Sequence, residues 1–380
     1  MTDIKTFKDL EKEVIEPGIC SLCGGCITVC AYNKIGAIQI ENNIPKFIES
    51  DQKICLDCGI CYQICPRTFT LSDHLKDFYT SQEPINEYKK LTWAQTTDNE
   101  IMKVCQDGGV VTSLLKYLLE TKQIDGAIVN FAQSNWESFP LFITLSNELL
   151  DVAGTRYSTT PLLEIFQRPK FYSSLPEDEK NSESSSIFSF MNDYSRLAFV
   201  GCPCHIQAIK KMKILNIRPA NTIKYMIGLF CMENFSYSDL MKNIVEKKLR
   251  IKLDEIKKVN IKKNLIITLK DNSNIEIPFE DLEDVVRPNC LYCPDFSNVY
   301  TDISVGGIGA PKNNSTVLIH TEQGENLFSN AVFNGYLTEY KNTDIEILKL
   351  KENTIRLIQR MTKIKKDRAL KNLNKIHSLE

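Results

Sequence analysis

Two runs of cysteine near the N-terminus are the residues best suited to chemistry. Both have the spacing C-x2-C-x2-C-x3-C, and Pro66 follows the second run. A loop with three cysteines placed three residues apart directs three thiolates onto one [4Fe–4S] cube, and the fourth cysteine then reaches the neighbouring cube. The spacing therefore predicts two cubes with exchanged fourth ligands. The predicted ligands are Cys20, Cys23, Cys26 and Cys65 for one cube, and Cys55, Cys58, Cys61 and Cys30 for the other.

The repeated run also predicts a domain. Each run precedes a short apolar segment, at 37–40 and 69–71, which is the internal repeat of a bacterial-type 2[4Fe–4S] ferredoxin domain. We place this domain at residues 1–80. Structural zinc is the alternative, but zinc normally uses paired C-x2-C or mixed Cys and His ligands. Two copies of the four-cysteine run favour iron–sulfur clusters, and hence one-electron transfer.

Five further cysteines lie in the second half of the chain. They are Cys202, Cys204, Cys231, Cys290 and Cys293. The first three follow apolar segments that predict strands, and sites in α/β sheets collect at the carboxyl ends of strands. These cysteines could supply four thiolates to a third cluster, or they could be buried core residues, which are common. Cys105 has no cysteine near it in the sequence, so we assign it to packing.

Three loops rich in glycine and hydroxyl groups are candidate anion sites. The loop at 107–112 begins a predicted helix, where bare glycine backbone lets N–H groups approach a phosphate. The loops at 154–161 and 302–309 are similar in composition, although each could be an ordinary turn and none matches G-x-G-x-x-G or a P-loop. Together, and beside iron–sulfur ligands, they favour a bound dinucleotide or flavin. The candidate contacts are Gly108, Gly109, Val110, Thr112, Gly154, Arg156, Tyr157, Ser158, Thr159, Gly306 and Gly307.

The elements around these motifs indicate a mixed α/β body. Apolar residues at helical spacing predict helices at 110–121 and 326–333, and short apolar runs predict strands at 124–131, 197–200, 225–230 and 316–320. Segments 264–269 and 274–278 predict a hairpin. Apolar residues after Cys204 predict a helix that begins near it. The alternation of helix and strand predicts a mixed α/β fold.

Composition limits the class of protein. The chain has 380 residues, enough for two or three domains. Its 46 basic and 48 acidic residues give a net charge of −2, which argues against nucleic acid as a partner. We find no signal peptide, and the longest apolar run, about 225–232, is too short to span a bilayer. We therefore expect a cytoplasmic, reducing location, where clustered cysteines more often bind metal than form disulfides.

Two other segments have a distinctive composition. Residues 173–190 are rich in Ser and acidic residues and predict an exposed loop or insertion. Residues 349–375 carry ten basic and two acidic residues. Their apolar face consists of Leu350, Leu357, Met361 and Ile364. This tail is either an amphipathic helix on a membrane or, as its low hydrophobicity favours, a helix docked on its own body or on a partner. The predicted units after the ferredoxin domain are 91–172, 194–345 and a basic helical tail at 346–380.

The motifs of the body, in their order, resemble those of the beta subunits of coenzyme F420 hydrogenases and dehydrogenases, which form one family. The matching stretches are DGGVVTSLL at 107–115, GTRYS at 154–158, GCPCHIQA at 201–208, GLFC at 228–231, CLYC at 290–293 with Asp295-Phe296, and DISVGG at 302–307. The resemblance implies a flavoprotein body that binds FAD and a third [4Fe–4S] cluster. Its implied ligands are Cys204, Cys231, Cys290 and Cys293. Cys202 occupies a place where the family often has Thr, so it would be a spare thiol.

The resemblance implies an F420-dependent oxidoreductase. Coenzyme F420, the substrate, would exchange hydride with FAD, and three [4Fe–4S] clusters would pass single electrons to a redox partner. With its ferredoxin domain the chain is similar to the input subunit of F420H2 dehydrogenases, which feeds a complex-I-like membrane complex and would place the chain peripheral to a membrane. Transfer between two rings needs no acid–base side chain, so we predict no catalytic residue. His205 either tunes the third cluster or makes a structural hydrogen bond.

Other family members define the alternatives. The chain could be the F420-linked subunit of a hydrogenase, a formate dehydrogenase, a sulfite reductase or a glutamate synthase. It could instead reduce another substrate, as the related chlorophyll-derivative reductase does. A non-catalytic electron-transfer subunit is a further alternative, and it would contain clusters but no flavin.

Overall fold

The structure, a computed structural model, describes part of the chain in detail. The described residues are 4–33, 35–48, 55–68, 70–71, 74, 88–171 and 193–377. The insertion predicted at 173–190 lies outside them, as does Phe69 of the second predicted apolar segment. The described residues form a small N-terminal module, a larger α/β body and a long C-terminal helix.

The N-terminal module is built around the two cysteine runs. Its elements are α1 (Phe7–Leu10), a π-helical turn that continues it (Glu11–Ile15), α2 (Gly25–Tyr32), β1 (Ile38–Glu41), β2 (Ile44–Phe47) and α3 (Ile60–Gln63). The residues that flank the second cysteine have positive φ in both runs, at Leu22 and Gly24 and again at Asp57 and Gly59. This left-handed conformation is uncommon outside glycine. Its recurrence at matching positions means that the two loops fold alike, as the sequence repeat predicts.

The strands of the body form two sheets. They are β3 (Lys90–Thr96), β4 (Gly126–Ala132), β5 (Ser138–Ile143), β6 (Leu197–Gly201), β7 (Ile223–Leu229), β8 (Ile256–Ile261), β9 (Leu265–Leu269), β10 (Asn274–Ile277), β11 (Ile303–Gly306), β12 (Ser315–Ile319) and β13 (Leu337–Glu339). The large sheet has the order β13-β3-β12-β11-β7-β6-β4-β5. Its centre, from β11 to β4, is parallel, and antiparallel strands flank it on both sides. The strands predicted within this sheet are confirmed, with ends shifted by one or two residues.

The predicted hairpin is also confirmed. Strands β9 and β10 pair antiparallel, and Asn272, in their turn, has a φ of 68°. The structure adds β8 as a third strand on the other side of β9. This small sheet packs with the π-helical segment Ser238–Lys248 around its own apolar cluster.

Helices cover the large sheet and begin where its strands end. They are α4 (Asn99–Val104), α5 (Val110–Glu120), α6 (Leu149–Val152), α7 (Pro203–Ile214), α8 (Arg218–Asn221), α9 (Glu322–Phe333) and α10 (Asp344–His377). Helix α5 confirms the prediction at 110–121, and α7 begins one residue before Cys204. Helix α9 begins four residues earlier than predicted, because the Thr321 hydroxyl caps it by accepting a hydrogen bond from Gly324 N at 3.0 Å.

One hydrophobic core joins the N-terminal module to the sheet. Phe7 and Ile64 of the module belong to the same buried cluster as Phe199 of β6. The two parts are also hydrogen-bonded, since Leu163 N donates to the carbonyl oxygen of Cys23 at 3.0 Å. A shared core fixes the cysteine runs against the body, whereas a flexible linker would leave them free to move relative to it.

The C-terminal helix α10 packs on the α/β body of its own chain. Of the arrangements considered for this tail, the structure shows the helix docked on its own body. Its buried residues are Thr354, Ile358, Lys365 and Ala369. Of the predicted apolar face, Leu350 and Met361 are half-buried and pack against a buried cluster of the body, whereas Ile364 is 43% exposed. The pattern of apolar residues could not predict which face of α10 is buried, because one buried position is a lysine whose ammonium group donates to carbonyl oxygens. Among the described helices, none is both long and apolar enough to cross a membrane.

Candidate metal and cofactor centre

Four thiols from both N-terminal runs lie together and form what we call the first set. They are Cys20, Cys23, Cys26 and Cys65. Burial raises the pKa of Cys26, and the thiols of Cys20, Cys23, Cys61 and Cys65 add to the shift. Burial also raises the pKa of Cys65 to about 12, with contributions from Cys23 and Cys20. The last cysteine of the second run thus lies beside the first three of the first run. Its ligation of a cube stays a prediction.

The second set contains the remaining cysteines of the two runs. They are Cys30, Cys55, Cys58 and Cys61. Burial raises the pKa of Cys61 to about 12, and the thiols of Cys58, Cys30 and Cys55 contribute. Burial raises the pKa of Cys30 too, and Cys55 and Cys58 add to it. Cys58 is exposed, whereas Cys23 of the first set is buried. The second set is therefore the one more open to solvent.

The five cysteines of the body also come together, at the carboxyl ends of β6 and β7. Cys202 caps α7, Cys204 lies in its first turn, and Cys231 follows β7. Cys290 and Cys293 come from the 3-10 turn Pro288–Tyr292 and the residue after it. Burial raises the pKa of Cys204 while Arg67 opposes the shift, and the thiols of Cys23, Cys231 and Cys293 raise it further. We call these five cysteines the body set.

Within the body set, the neighbouring Cys202 thiol lowers the pKa of Cys231. The family resemblance implies that Cys202 is a spare thiol, and the structure puts it beside a predicted ligand. Within the described residues, no three His, Cys, Asp or Glu side chains are close enough to hold a single metal ion. The first and second sets each contain the four thiols that a [4Fe–4S] cube requires, and the body set contains one more.

Three cations lie among the thiols, and none of them was predicted from the sequence. Lys211 and Lys365 are buried, and Arg67 is half-buried. The charge of the Arg67 guanidinium acts on Cys293 and Cys204 and also on Cys20 and Cys23, so it lies between the first set and the body set. The Lys211 ammonium donates to the carbonyl oxygen of Cys65 at 2.6 Å. The third cation is Lys365 of α10. Only Arg67 had a sequence signal, namely its place two residues after the last cysteine of the second run.

The three glycine-rich loops are neighbours in the fold. A Cβ atom added to Gly307 would lie 2.7 Å from a carboxylate oxygen of Asp107, and one added to Gly154 would lie 3.4 Å from the carbonyl oxygen of Val104. Gly108 allows an equally close approach, since its Cβ would lie 2.4 Å from the carbonyl oxygen of Ala94. Glycine at these positions lets the loops pack against α4, α5 and β3 with bare backbone.

The other predicted contacts have mixed surroundings. Val110, the first residue of α5, belongs to the hydrophobic core, and Thr112 of the same helix is also buried. Ser158 forms an isolated bridge with Phe235. Gly306 lies against the Phe230 ring, which a Cβ atom would approach to 2.3 Å. These residues pack against the protein interior and so support the conformation of the loops.

Several polar atoms in or beside these loops are buried and have no hydrogen-bond partner among the described residues. They are Nε2 and Oε1 of Gln106, Nε of Arg156 and Oγ1 of Thr159. The Arg156 guanidinium lies 5.2 Å from the centre of the Trp136 ring. Since buried polar groups in proteins are nearly always hydrogen-bonded, these unpaired donors and acceptors are candidate ligand contacts. Gln106 and Trp136 were not predicted from the sequence.

Tyr157 connects these loops to the body set. Its hydroxyl accepts a hydrogen bond from Ile261 N at 3.2 Å. Burial raises the pKa of Tyr157, and the charges of Asp107 and Cys231 add to the shift. The tyrosine therefore lies near a glycine-rich loop on one side and near the body thiols on the other.

His205 and Cys105 have structural roles. His205 Nε2 is 2.9 Å from the carbonyl oxygen of Thr160, and Nδ1 accepts a hydrogen bond from Cys202 N at 3.3 Å. Burial lowers the pKa of His205 to about 4, so the ring is neutral at neutral pH. Of the two roles considered for His205, the structure thus shows the hydrogen bond. Cys105 is buried and donates to the carbonyl oxygen of Asp107 at 3.1 Å, which fits packing.

Two family models match the chain, and together they cover more than half of it. Both describe the beta subunit of "Coenzyme F420 hydrogenase/dehydrogenase". The model for the N-terminal part of that subunit matches residues 91–167, and the model for the C-terminal part matches residues 194–344. The chain belongs to this family. The resemblance seen in the sequence is thereby confirmed.

Individual relatives show how far the similarity extends. An uncharacterized protein of Methanocaldococcus jannaschii is 30% identical over 97% of this chain and 99% of its own length. A subunit of the F(420)H(2) dehydrogenase of Methanosarcina mazei is 27% identical over 83% of each chain. A chain in the solved F420-reducing [NiFe] hydrogenase complex of Methanosarcina barkeri is 27% identical, with a TM-score of 0.66 over 77% of this chain and 94% of that one. This family member therefore shares its fold with a hydrogenase subunit.

Proposed function

We propose that this chain is an iron–sulfur flavoprotein that exchanges hydride with coenzyme F420 and single electrons with a partner protein. The observation that carries the proposal is the succession of sites in the fold. The glycine-rich loops lie beside the body set, the body set lies beside the first set, and the first set adjoins the exposed second set. F420-linked relatives support the choice of substrate.

The thiol sets fit [4Fe–4S] clusters by number, type and charge. We propose Cys20, Cys23, Cys26 and Cys65 for the first cluster, and Cys30, Cys55, Cys58 and Cys61 for the second. For the third, the family resemblance selects Cys204, Cys231, Cys290 and Cys293, with Cys202 as a neighbour. A cube held by four thiolates is anionic, and the buried Lys211 and Lys365 and the half-buried Arg67 supply the positive charge that such a site needs.

The glycine-rich loops fit FAD through their unpaired polar atoms. Gln106, Arg156 and Thr159 offer buried donors and acceptors that have no partner in the part of the chain that the structure describes. We propose that these residues, with the backbone of Gly108, Gly109, Gly154 and Gly307, hold the cofactor. When bound, FAD would supply the conversion between hydride and single electrons, which no side chain performs. The residues of this chain would orient the two rings and exclude water from them.

The three clusters would be arranged from buried to exposed. Arg67 lies between the body set and the first set, and the fourth cysteine of each N-terminal run is exchanged between the first and second sets. Exposure of Cys58 makes the second set the surface from which a partner can be reached. We propose a redox subunit as that partner, and the similarity to a subunit of F420H2 dehydrogenase supports a multi-subunit complex. The complex-I-like membrane complex that the resemblance implies stays a prediction.

Addition of reduced F420 to the anaerobically purified protein tests the proposal. We expect about twelve iron atoms per chain and bound FAD. We expect F420H2 to bleach the flavin absorbance and then to reduce an added one-electron dye. A protein that keeps its flavin but does not respond to F420H2 would exclude the substrate. Clusters without any flavin would support the electron-transfer alternative, and response to another reductant in a substrate screen would support the reductase alternative.

The substitution Gln106→Leu should weaken the binding of FAD without lowering the stability of the protein. The Gln106 amide has buried atoms without a hydrogen-bond partner among the described residues. We therefore expect Gln106→Leu, measured without FAD, to leave the melting temperature unchanged or to raise it. Loss of the proposed hydrogen bonds to FAD costs about 1–3 kcal/mol, so the Kd for FAD should rise about five- to 150-fold. Gln359→Leu, on the exposed side of α10, is the matched control. An unchanged Kd in Gln106→Leu would remove this residue from the flavin site.

A further inference from the structure

Lys365 is the deepest charged group of the C-terminal helix. It is 1% exposed, and its ammonium donates to the carbonyl oxygens of Cys231 and Asp295, the latter at 2.7 Å. Both acceptors are neutral. The salt bridge that α10 makes here joins Arg368 to Glu233, at 2.7 Å, and Lys365 has no salt bridge with a described residue. The helix therefore buries a whole positive charge directly behind the body set.

A buried ammonium needs a compensating negative charge. Transfer of an unpaired charge into the protein interior is strongly unfavourable, and two carbonyl dipoles offset only part of the cost. The charges that act on Lys365 are those of Cys293, Cys231, Asp295 and Cys290. Three of these four groups are proposed cluster ligands. The burial of Lys365 is thus matched to an anionic group at this place.

We propose that Lys365 is a positioning residue that raises the reduction potential of the body cluster. This inference rests on the proposed function, because it requires a cluster on the body cysteines. Reduction adds one negative charge next to the ammonium group, so the reduced form gains more from Lys365 than the oxidised form does. The helix also fixes the Cys231 and Asp295 backbone through the same two hydrogen bonds, so it holds one ligand segment in place.

The position of Lys365 gives α10 an electrostatic role at the body set, which the basic composition of the helix did not predict. Lysines of this helix such as Lys363 and Lys366 are exposed, and water screens their charge. Lys365 alone among these three faces the thiols. Its effect on the cluster should therefore be much larger than that of a neighbouring lysine with the same formal charge.

A potentiometric EPR titration of three variants tests this proposal. Lys365→Met removes the charge and keeps an unbranched side chain, Lys365→Arg keeps the charge, and Lys366→Met removes a charge from the exposed side of the same helix. We expect Lys365→Met to reduce the equilibrium constant for reduction of the body cluster about tenfold, which is about 59 mV for one electron. The N-terminal clusters should keep their potentials. Lys365→Arg should recover most of the shift, and Lys366→Met should behave as wild type.

The outcomes distinguish this inference from the function on which it rests. If the wild type shows no body-cluster signal, the proposed function fails. If that signal is present and its potential is the same in Lys365→Met, only the role of Lys365 fails. Should Lys365→Met not fold, Lys365→Gln keeps the ability to donate to both carbonyls and lacks the charge. A wild-type potential in Lys365→Gln would then overturn the proposal, and a lowered potential would support it.

Discussion

Replacement of Cys293 by alanine should remove one cluster and leave two. Cys293 is buried in the body set, where the charge of Arg67 acts on it. A [4Fe–4S] cube is held by four thiolates, so loss of one should destabilise it and lower the iron content from about twelve towards about eight atoms per chain. The EPR signal of the body cluster should disappear, while the signals of the two N-terminal clusters persist. Iron analysis and EPR of the dithionite-reduced protein measure both effects.

Cys105→Ala is the matched control for this experiment. Cys105 is also a buried cysteine of the body, but it packs against Asp107 and lies in none of the three sets. Its variant should keep the full iron content. Cys202→Ala should keep it too, because the family resemblance makes Cys202 a spare thiol. Loss of iron from Cys202→Ala with full retention in Cys204→Ala would reverse the assignment of these two residues.

Replacement of Cys65 by alanine should destroy the first cluster, although Cys65 belongs to the second run. Its thiol lies beside Cys20, Cys23 and Cys26. With exchanged ligands, the iron content should fall to about eight atoms, and the remaining spectrum should match that of Cys20→Ala. With ligands taken from one run only, Cys65→Ala would instead resemble Cys58→Ala.

The rate at which each cluster reacts with solvent-borne reagents is a second way to compare Cys65→Ala with Cys58→Ala. The second set includes the exposed Cys58, whereas Cys23 and Cys65 of the first set are at least partly shielded by the body. A cluster at the second set should therefore react faster with an added chelator or with oxygen. We expect the fast-reacting cluster to survive in Cys65→Ala and to be absent in Cys58→Ala. Survival of only the slow cluster in Cys65→Ala would contradict the exchange.

Much of this protein could be predicted from local pattern. The C-x2-C-x2-C-x3-C spacing determines how three thiols of one loop meet, because residues three apart in a tight loop have fixed relative directions. Apolar periodicity predicted α5 and the parallel strands β4, β6 and β7, since each buries a face that repeats with the period of its own backbone. The order of motifs along the body was sufficient to identify the family.

Contacts between distant parts of the chain were decided only by the tertiary structure. Lys365 meets the backbone of Cys231 across 134 residues, and Lys211 meets that of Cys65 across 146. No local pattern encodes such a pair, because each lysine looks like an ordinary surface residue of a basic helix. The burial of the Gln106 amide also could not be predicted from the sequence.

The sequence by itself determined which atoms are available for chemistry: the thiols, their local spacing and the glycines that leave backbone bare. The packing of α7, α10 and the N-terminal module on one sheet decided which of them lie together and which charges lie between them. The physical reason is that periodicity reports the environment of a residue along its own helix or strand. The electrostatic environment of a buried thiol depends instead on whichever elements the sheet order brings against it.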